Sequence, residues 1–351
     1  MLFRSSVLSA TALVRDGHAI FATGDRNCIV RAWDPAPPLA ESAADSASRA
    51  ALASVSAVAL GSAGGAPFVA LGAQVGTVQM HDTASGELLR SWSRAKFAVV
   101  CLAAEDDGLA AGFADGTLAF YDPSGQEEPV QRAKAHEGRV EVVCFAPDGW
   151  LVSGGSDGAV KVWEPLSRRA PVTVGSGRSS IRALAVLAVP GGFALAAATR
   201  AEIRLWTVPA GSGLPERPRE VTRARSEPGV RSLALGAIGD RMLLAVGDIK
   251  GGLQILGLEP NAPLRRLSEH GDAVHALAFG RVEDRDVLVS ASGDGTVRLW
   301  DPVTSRCLDV WTERTQYLRA ADFRFGATGL VHAVAVREAV QLSEVRHLPH
   351  G

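Results

Sequence analysis

The sequence predicts an all-β fold, and two observations carry that prediction. The segments SGGSDGAVKVWEP (153–165) and SASGDGTVRLWDP (290–302) are almost identical. In each, an apolar strand runs into an Asp-Gly turn and then into a strand of alternating apolar and polar residues, which is a strong hairpin signal. Weaker copies recur along the chain, and the position of the tryptophan is occupied in turn by Trp33, His81, Tyr121, Trp163, Trp206, Leu256, Trp300 and Ser343. Successive positions in this series are 40 to 50 residues apart, which is close to the period of the four-stranded blades of a β-propeller.

Each hairpin has one further strand before it and one after it, which makes four strands per unit. VEVVCFA (140–146) precedes one of the two clear hairpins, and RCLDVW (306–311) follows the other. A four-stranded sheet with two apolar faces is unstable alone, whereas a radial arrangement lets each sheet bury its faces against its neighbours. The 37 glycines among 351 residues suit many short strands joined by tight turns.

The length of the chain favours eight blades over seven. The last unit supplies three strands before the sequence ends, so we expect residues 2–6 to add the missing outer strand beside residues 339–345. Such pairing closes the ring and removes an unpaired sheet edge. We therefore expect one domain over residues 1–346, with a tail at residues 347–351.

Composition gives no reason to expect a nucleic acid or a membrane as partner. The net charge is −2, and no stretch approaches the roughly 20 apolar residues of a membrane span. The cysteines are widely spaced and lack the spacing of a zinc site, which indicates a reducing compartment. We expect a monomeric cytoplasmic protein without a cofactor, and the high Ala, Gly and Arg usage suggests a bacterial source. The cysteines are Cys28, Cys101, Cys144 and Cys307.

The two clear hairpins resemble the WD-repeat family. In that family a His before the blade, a Ser or Thr on the second strand, an Asp in the turn and the Trp form a hydrogen-bonded network. The resemblance implies this network for two sets of residues, namely His136, Ser153, Asp157 and Trp163, and His270, Ser290, Asp294 and Trp300. A His/Asp/Ser trio also occurs in serine hydrolases, but the repeat context favours the structural interpretation.

The other units keep part of the pattern. Unit one has Thr23 and Asn27, and unit three has Asp115. Counting back from the tryptophan of unit five places Ala196 and Arg200 where the hydroxyl and the acid would be. The resemblance therefore covers the whole chain, strongly in two units and by spacing in the rest.

No nucleotide-binding, zinc-protease or hydrolase motif is present in the sequence, so we expect no catalysis. In a WD-repeat propeller the residues on either side of the first apolar position of each inner strand point to the mouth of the central funnel. The positions after it are Ser9, Ser56, Ala98, Glu141, Arg182, Arg231, His275 and Arg319. The positions before it include Lys96, Arg139 and Tyr317.

Three arginines on this series, Arg182, Arg231 and Arg319, would converge within one arc. Converging guanidinium groups repel unless an anion compensates them, and arginine suits carboxylate or phosphate. The sequence thus predicts a non-catalytic recognition module for an acidic or phosphorylated protein segment. Three other interpretations remain open: a small-anion or enzymatic site with Glu141 or His275 as acid or base, a structural subunit that docks through the blade sides, and arginines neutralised by local acids such as Glu202 or Asp240.

Overall fold

The computed structural model describes the chain between residues 7 and 345, and it describes side chains between Ser56 and Val310 with short gaps. The segments left out between residues 7 and 345 are 16–17, 26–28, 34–46, 50–54, 83–86, 94–95, 106, 126–128, 166, 168, 201, 210–218, 226–228, 260–263, 268–269, 283–284, 313–317, 327–328 and 337–339.

Eight antiparallel sheets make up the described part of the chain, numbered 1 to 8 in chain order. Sheets 1 to 4 consist of β1 (Val7–Arg15), β2 (His18–Asp25), β3 (Ile29–Trp33) and β4 (Ala47–Arg49); β5 (Val55–Ala63), β6 (Ala66–Ala73), β7 (Val78–Asp82) and β8 (Leu88–Trp92); β9 (Val99–Glu105), β10 (Gly108–Phe113), β11 (Thr117–Tyr121) and β12 (Gln131–Lys134); β13 (Val140–Ala146), β14 (Trp150–Gly155), β15 (Val160–Trp163) and β16 (Val172–Gly175).

Sheets 5 to 8 continue the same pattern, and the last has three described strands. They consist of β17 (Ala183–Val189), β18 (Gly192–Ala198), β19 (Glu202–Pro209) and β20 (Arg219–Arg225); β21 (Val230–Ile238), β22 (Arg241–Asp248), β23 (Leu253–Gly257) and β24 (Leu264–Arg266); β25 (Val274–Val282), β26 (Arg285–Ser292), β27 (Thr296–Trp300) and β28 (Cys307–Thr312); β29 (Leu318–Gly326), β30 (Gly329–Val336) and β31 (Val340–Val345).

The prediction of an all-β fold of four-stranded antiparallel sheets is confirmed. Within each sheet the strands follow chain order, and the first strand of each sheet packs against the first strand of the next. The first strand of sheet 8, β29, also packs against β1 of sheet 1. A single 3₁₀ turn, Pro147–Gly149, is the only helical element in the described residues. Residues 2–6, predicted to add a strand, and the tail at residues 347–351 lie outside the described residues.

Apolar layers between neighbouring sheets form the core. Along β18, Leu195 packs with Val152 and Ile181 on the side of sheet 4. Ala194 and Ala196 point the other way, into the layer shared with sheet 6. Because successive side chains of a strand alternate between its faces, each sheet is buried on both sides.

A glycine near the end of the second strand packs against the first buried residue at the start of the next sheet. A methyl group placed on Gly154 would lie 2.6 Å from Cγ2 of Ile181, and one placed on Gly112 would lie 2.6 Å from Cγ1 of Val140. The pair Gly247 and Val274 has the same relation, at 2.7 Å from Cβ of the valine. Real Cβ atoms do not approach other atoms this closely, so the absence of a side chain sets the spacing between these sheets.

In sheet 4 a hydrogen-bonded chain runs from the hairpin turn to the indole of Trp163. Asp157 accepts from Nδ1 of His136 at 3.0 Å, and Nε2 of His136 lies 2.9 Å from Oγ of Ser153. The indole N–H of Trp163 donates to the same Oγ at 2.9 Å. This geometry fits a ring that donates from Nδ1 and accepts from the serine at Nε2, so each of these four side chains has a hydrogen-bond partner within the network.

Sheet 7 repeats this arrangement with one addition. Nδ1 of His270 lies 3.1 Å from Asp294, Nε2 lies 2.7 Å from Oγ of Ser290, and the indole of Trp300 donates to that oxygen at 2.8 Å. The hydroxyl of Thr296 also donates to Asp294, at 2.7 Å. Both turns continue with a glycine at positive φ, Gly158 at 77° and Gly295 at 83° in sheets 4 and 7, where a side chain would be strained.

Burial and hydrogen bonding fix the charge states within the sheet 4 network. Burial lowers the pKa of His136 and outweighs Asp157, which acts to raise it. Burial acts to raise the pKa of Asp157, but the N–H groups of Ala159 and Glu137 together with His136 bring it below its ordinary value. The fold therefore holds a neutral imidazole against an ionised carboxylate.

Sheet 5 does not follow the spacing assumed from the sequence. Ser153 pairs with Lys161 across its hairpin, and in the same register Ala197 pairs with Arg204. The predicted position, Ala196, is wrong by one residue because this hairpin is one residue shorter, and Ala196 faces sheet 6 instead. In sheet 3, Asp115 caps its turn by accepting from the N–H of Thr117 at 2.9 Å. Asn27 and the side chain of Thr23 lie outside the described residues.

We expect Asp294→Ala and Asp157→Ala each to lower the free energy of unfolding by about 1–3 kcal/mol, because each removes a carboxylate that accepts from a buried imidazole and from two backbone N–H groups. Lys250→Ala serves as the control, since Lys250 occupies the equivalent turn position in sheet 6, is exposed, and uses its backbone N–H to bond Asp248. Urea unfolding measures all three variants. Equal losses in the three would contradict the network.

We expect Gly154→Ala to cost about 1–3 kcal/mol through overpacking against Ile181. Gly177→Ala is the matched control, because the nearest atom to an added methyl group there is O of Gly158, at an ordinary 3.7 Å. Thermal and urea unfolding of both variants provide the comparison. A Gly154→Ala variant as stable as Gly177→Ala would show that the close approach does not hold in solution.

We expect the free energy of unfolding to fall as the pH drops below about 6.5, the ordinary pKa of histidine. The unfolded chain takes up a proton at His136 there, whereas the buried ring resists protonation. Urea unfolding at a pH of about 7.5 and of about 5.5 measures the slope. A His136→Gln variant should show a shallower slope, and identical slopes in the two proteins would be the opposing result.

Candidate binding site at the inner-strand bulges

Most of the inner strands carry one extra residue near their first end. In sheet 4, Val140 pairs with Gly155 and Val142 pairs with Gly154, which leaves Glu141 unpaired as a β-bulge. In sheet 5, Arg182 holds the corresponding position just before β17, and its N–H bonds O of Ala198 at 2.7 Å. The register shifts place bulged residues at Leu8, Ser56, Val100, Glu141, Arg231, His275 and Arg319.

Two positions of the predicted series are corrected by this register. In sheet 1 the bulged residue is Leu8 rather than Ser9, because Ser9 already pairs with Gly24. In sheet 3 the first buried residue is Val99, so the bulge falls after it, and the predicted Ala98 precedes that residue.

Of the three residues predicted to precede an inner strand directly, the structure confirms one position and corrects another. The residue directly before β9 is Ala98, so Lys96, which is exposed, lies two residues further from the bulge than predicted. Arg139 does directly precede its strand. Tyr317 and the side chain of Arg319 lie outside what the structure describes.

Carbonyl groups of the first buried residues accept hydrogen bonds from the preceding sheet. Oγ of Ser56 donates to O of Val99 at 2.5 Å, and Oγ of Ser232 donates to O of Val274 at 2.8 Å. These bonds join inner strands of neighbouring sheets. A bulge bends its strand and re-aims one side chain, so the bulged residues project at an edge that is fixed from both sides.

Three cationic or titratable side chains stand at the starts of three successive inner strands, and we call Arg182, Arg231 and His275 the basic arc. Arg231 and His275 are bulged, whereas β17 has no register shift beside Arg182. Nε of Arg231 donates to Nδ1 of His275 over a long 3.4 Å. Partial burial, and secondarily the charge of Arg182, lower the pKa of Arg231 below its ordinary value. The charge of Arg182 thus disfavours the protonated form of Arg231, and the strands β17 and β21 at whose starts these residues stand pack against each other.

Within the described part of the chain, no carboxylate forms an ion pair with Arg182 or Arg231. The expected local acids do not neutralise them, because neither Glu202 nor Asp240 contacts either guanidinium. At the neighbouring bulge the charges do compensate, as Nε of Arg139 lies 3.8 Å from Glu141. The basic arc thus begins one sheet beyond this exposed pair.

The His/Asp/Ser trios are unsuited to nucleophilic chemistry. Ser153 and Ser290 are completely buried, and each hydroxyl is held between an imidazole and an indole. Burial raises the pKa of Cys144 to about 12, so this thiol stays protonated and unreactive. The three described cysteines form no disulfide, and the described residues contain no group of three metal-ligating side chains.

Comparison with known proteins agrees with the repeat. The model of the WD domain, G-beta repeat, matches residues 127–164 and 261–301, the segments that end at the residues directly after Trp163 and Trp300. The structure of a computationally designed protein, Ika8, superposes with a TM-score of 0.75 over 98% of this chain and 97% of that one, at 20% identity. At this identity the likeness establishes the fold alone.

Similar sequences occur in eukaryotic proteins with different roles. The chain is 28% identical over 191 residues to "WD repeat and HMG-box DNA-binding protein 1" of Xenopus laevis, covering 51% of this chain and 16% of that protein. It is 31% identical over 182 residues to "Mitochondrial division protein 1" of Pyricularia oryzae, covering 51% and 24%. It is 27% identical over 220 residues to "Ribosome biogenesis protein YTM1" of Eremothecium gossypii, covering 60% and 45%.

Each of these matches spans less than half of the relative's length. The relatives are eukaryotic and therefore lend no support to a bacterial source. No helix in the described residues is long and apolar enough to cross a membrane. The matched segments, the hydrogen-bonded His/Ser/Asp/Trp networks and the four-stranded sheets together show that the chain contains repeats of the WD family.

Proposed function

We propose that the chain is a non-catalytic protein-interaction module that binds an acidic or phosphorylated protein segment at the basic arc. WD-repeat proteins act in general as interaction scaffolds, and the arc supplies the chemistry for an anionic partner. The net charge of −2 makes a protein a more suitable partner than nucleic acid or an anionic membrane. We include Arg319 and Tyr317, whose side chains lie outside what the structure describes, in the proposed surface. We also propose that the protein is a cytoplasmic monomer.

The single observation that carries this proposal is that Arg182 and Arg231 follow the first buried residues, Ile181 and Val230, at the starts of neighbouring sheets and form no ion pair with a described carboxylate. Burial, and secondarily the charge of Arg182, lower the pKa of Arg231. An anion that binds both guanidinium groups removes their repulsion and gains charge-assisted hydrogen bonds. His275 adds a third side chain to the same anion-binding edge.

We further propose that eight sheets form one closed ring. The contact between β1 and β29 supports this, because it brings the first and last sheets together. Residues 2–6 would pair beside β31 and complete sheet 8. In this arrangement the bulged residues of all the sheets surround one central opening, which places the basic arc at its mouth.

A second candidate function is docking through the sides of the sheets. Leu88 and Leu89 on β8 are 52% and 48% exposed, and Leu264 on β24 is 49% exposed. Apolar side chains on outermost strands suit a partner that covers sheet edges. This surface is separate from the basic arc, so substitutions distinguish the two.

We expect the double variant Arg182→Ala/Arg231→Ala to bind acidic and phosphoserine peptides about a hundredfold more weakly than the wild type. Each charge-assisted contact contributes roughly 1.5–3 kcal/mol, and 1.4 kcal/mol corresponds to a factor of ten. A peptide array carrying phosphorylated, acidic and neutral versions of each sequence identifies the ligands, and fluorescence anisotropy then measures their affinity. Binding should also weaken as salt concentration rises.

The matched control is Arg241→Ala/Arg285→Ala, which removes the same charge from exposed residues at the opposite ends of the sheets. It should bind like the wild type. If no acidic or phosphorylated peptide binds the wild type, or if both double variants bind equally well, the arc is not the site. Loss of partner binding in Leu88→Ser/Leu89→Ser alone would instead favour docking through the sides.

A further inference from the structure

A cleft of about 390 Å³ opens between sheets 4 and 5. Its walls include the turn glycine of sheet 4, Gly158, the connection through Gly177, and Ala197, Arg204 and Trp206 of sheet 5. This volume lies within the range of small-molecule sites. The cleft is separate from the basic arc, although Ile181, next to Arg182 in the chain, forms part of its wall.

Gly177 stands where sheets 4 and 7 have a histidine. His136, Gly177 and His270 each precede by four residues the first buried residue of their own inner strand. Their backbone carbonyls also occupy the same place, because a methyl group on the turn glycine of the preceding sheet would collide with the carbonyl oxygen of each of the three. Sheet 5 therefore keeps the backbone of the network but lacks its imidazole ring.

The serine and the aspartate are also missing from sheet 5. Ala197 occupies the register position of Ser153, so no hydroxyl is present there. The shortened hairpin is closed by Thr199, whose N–H bonds O of Glu202 at 2.9 Å, and it has no residue in the position of Asp157. Three of the four network side chains are thus absent at one place.

The fourth member, Trp206, remains. It is 1% exposed and pairs with Leu195 as Trp163 pairs with Leu151. The indoles of sheets 4 and 7 donate to a serine at 2.9 and 2.8 Å. Unlike those two indoles, Nε1 of Trp206 has no hydrogen bond to the described residues, and it is not among their fully buried atoms that lack a partner. An indole N–H that is open to a ligand therefore borders the cleft.

Arg204 forms one wall and is already neutralised. Its guanidinium lies 4.8 Å from the centre of the Trp206 ring, donates to O of Ser176 at 2.9 Å and pairs with Glu220 at 2.5 Å. With its charge and donors engaged in this way, Arg204 does not make the cleft an anion site, and the lining also holds both a cation, Arg178, and a carboxylate, Glu202. The walls further offer apolar surface, the flat ring and N–H donor of Trp206, and the hydroxyl-bearing residues Ser176, Ser179 and Thr199.

We propose that this cleft binds a planar nitrogen heterocycle of about the size of an imidazole, whose unprotonated ring nitrogen accepts from Nε1 of Trp206. The ring fills the space left by the absent histidine, and the acceptor replaces the absent serine. The heterocycle comes either from a histidine side chain of a bound protein or from a free small molecule. The cleft and its ligand chemistry do not depend on the function proposed for the basic arc.

The test uses 1-methylimidazole and 1-methylpyrrole, which have nearly the same shape but differ in the acceptor nitrogen. Indole ¹H–¹⁵N spectra follow each tryptophan at a pH of about 8, where the imidazole is mostly neutral, and Trp206→Phe assigns the resonance. We expect 1-methylimidazole to shift the Trp206 resonance saturably and 1-methylpyrrole to bind about tenfold more weakly. The resonances of Trp163 and Trp300 should not move, because their N–H groups are bonded already.

Gly177→His restores a ring inside the cleft and should abolish binding of 1-methylimidazole. Glu137→His is the control, since it adds a ring to the exposed connection before sheet 4. Unchanged Trp163 and Trp300 resonances show that each variant is folded. If Gly177→His does not fold, Ala197→Val serves as a second variant that fills the cleft from the strand side. No shift of Trp206 at saturating probe, or undiminished binding in the folded filling variant, would overturn the proposal.

N-acetylhistidine methylamide distinguishes the two sources. If it binds as tightly as 1-methylimidazole, the cleft accepts a histidine side chain within a peptide, and if it is excluded, the ligand is a free heterocycle. The Arg182→Ala/Arg231→Ala variant should bind 1-methylimidazole like the wild type. The loss of one site is thereby separated from the loss of the other.

Discussion

The close approach of neighbouring sheets depends on a residue without a side chain. Gly112 and Gly154 each receive the first buried residue of the next inner strand at a distance that a Cβ atom would not allow. Because this contact recurs between sheets, it sets the separation at which the apolar layers pack. The layers then stabilise each sheet on both faces, which no single four-stranded sheet achieves alone.

The same contact explains why charged and titratable side chains occur at the bulges. Val140, Val230 and Val274 are almost completely buried, so packing against the neighbouring sheets favours an apolar side chain at each of these positions. The next residue is an extra one that leaves the ladder, so packing places few demands on it. Glu141, Arg231 and His275 occupy that position at small cost to the fold. A surface for binding is thus built from the positions that the packing leaves unconstrained.

The sequence was sufficient for the fold class and for the hairpins, because the alternation of the strands and the turn glycines are local signals. Trp163, Trp206 and Trp300 occupy equivalent registers, so counting from the tryptophan aligns the sheets where it is present. Counting back from Trp206 predicted Ala196 at the position of the network serine, whereas the register places Ala197 there, because the hairpin of sheet 5 is one residue shorter than that of sheet 4. A shift of one residue moves a side chain to the opposite face of a sheet, and periodicity alone does not reveal it.

The inner-strand series shows the same limit. The bulges at Glu141 and Arg231 were aligned correctly, since a clear apolar residue precedes each of them. In sheet 3 the sequence suggested the exposed Phe97 as the first apolar residue of the strand. The strand begins at the buried Val99, so the bulge falls at Val100 rather than at the predicted Ala98. Whether a side chain is buried depends on the neighbouring sheet, and that information is absent from the local sequence.

The cleft exists because sheet 5 keeps only one member of the His/Ser/Asp/Trp network. In sheet 2, Leu71 occupies the serine position and His81 the tryptophan position. Both side chains are buried, so they fill the space of the network there. In sheet 5 the tryptophan stayed while its acceptor was lost. The N–H of Trp206 is left open to the cleft rather than sealed in the core. A ligand that supplies an acceptor to it gains a hydrogen bond worth about 0.5–1.5 kcal/mol, and the glycine at position 177 leaves room for that ligand.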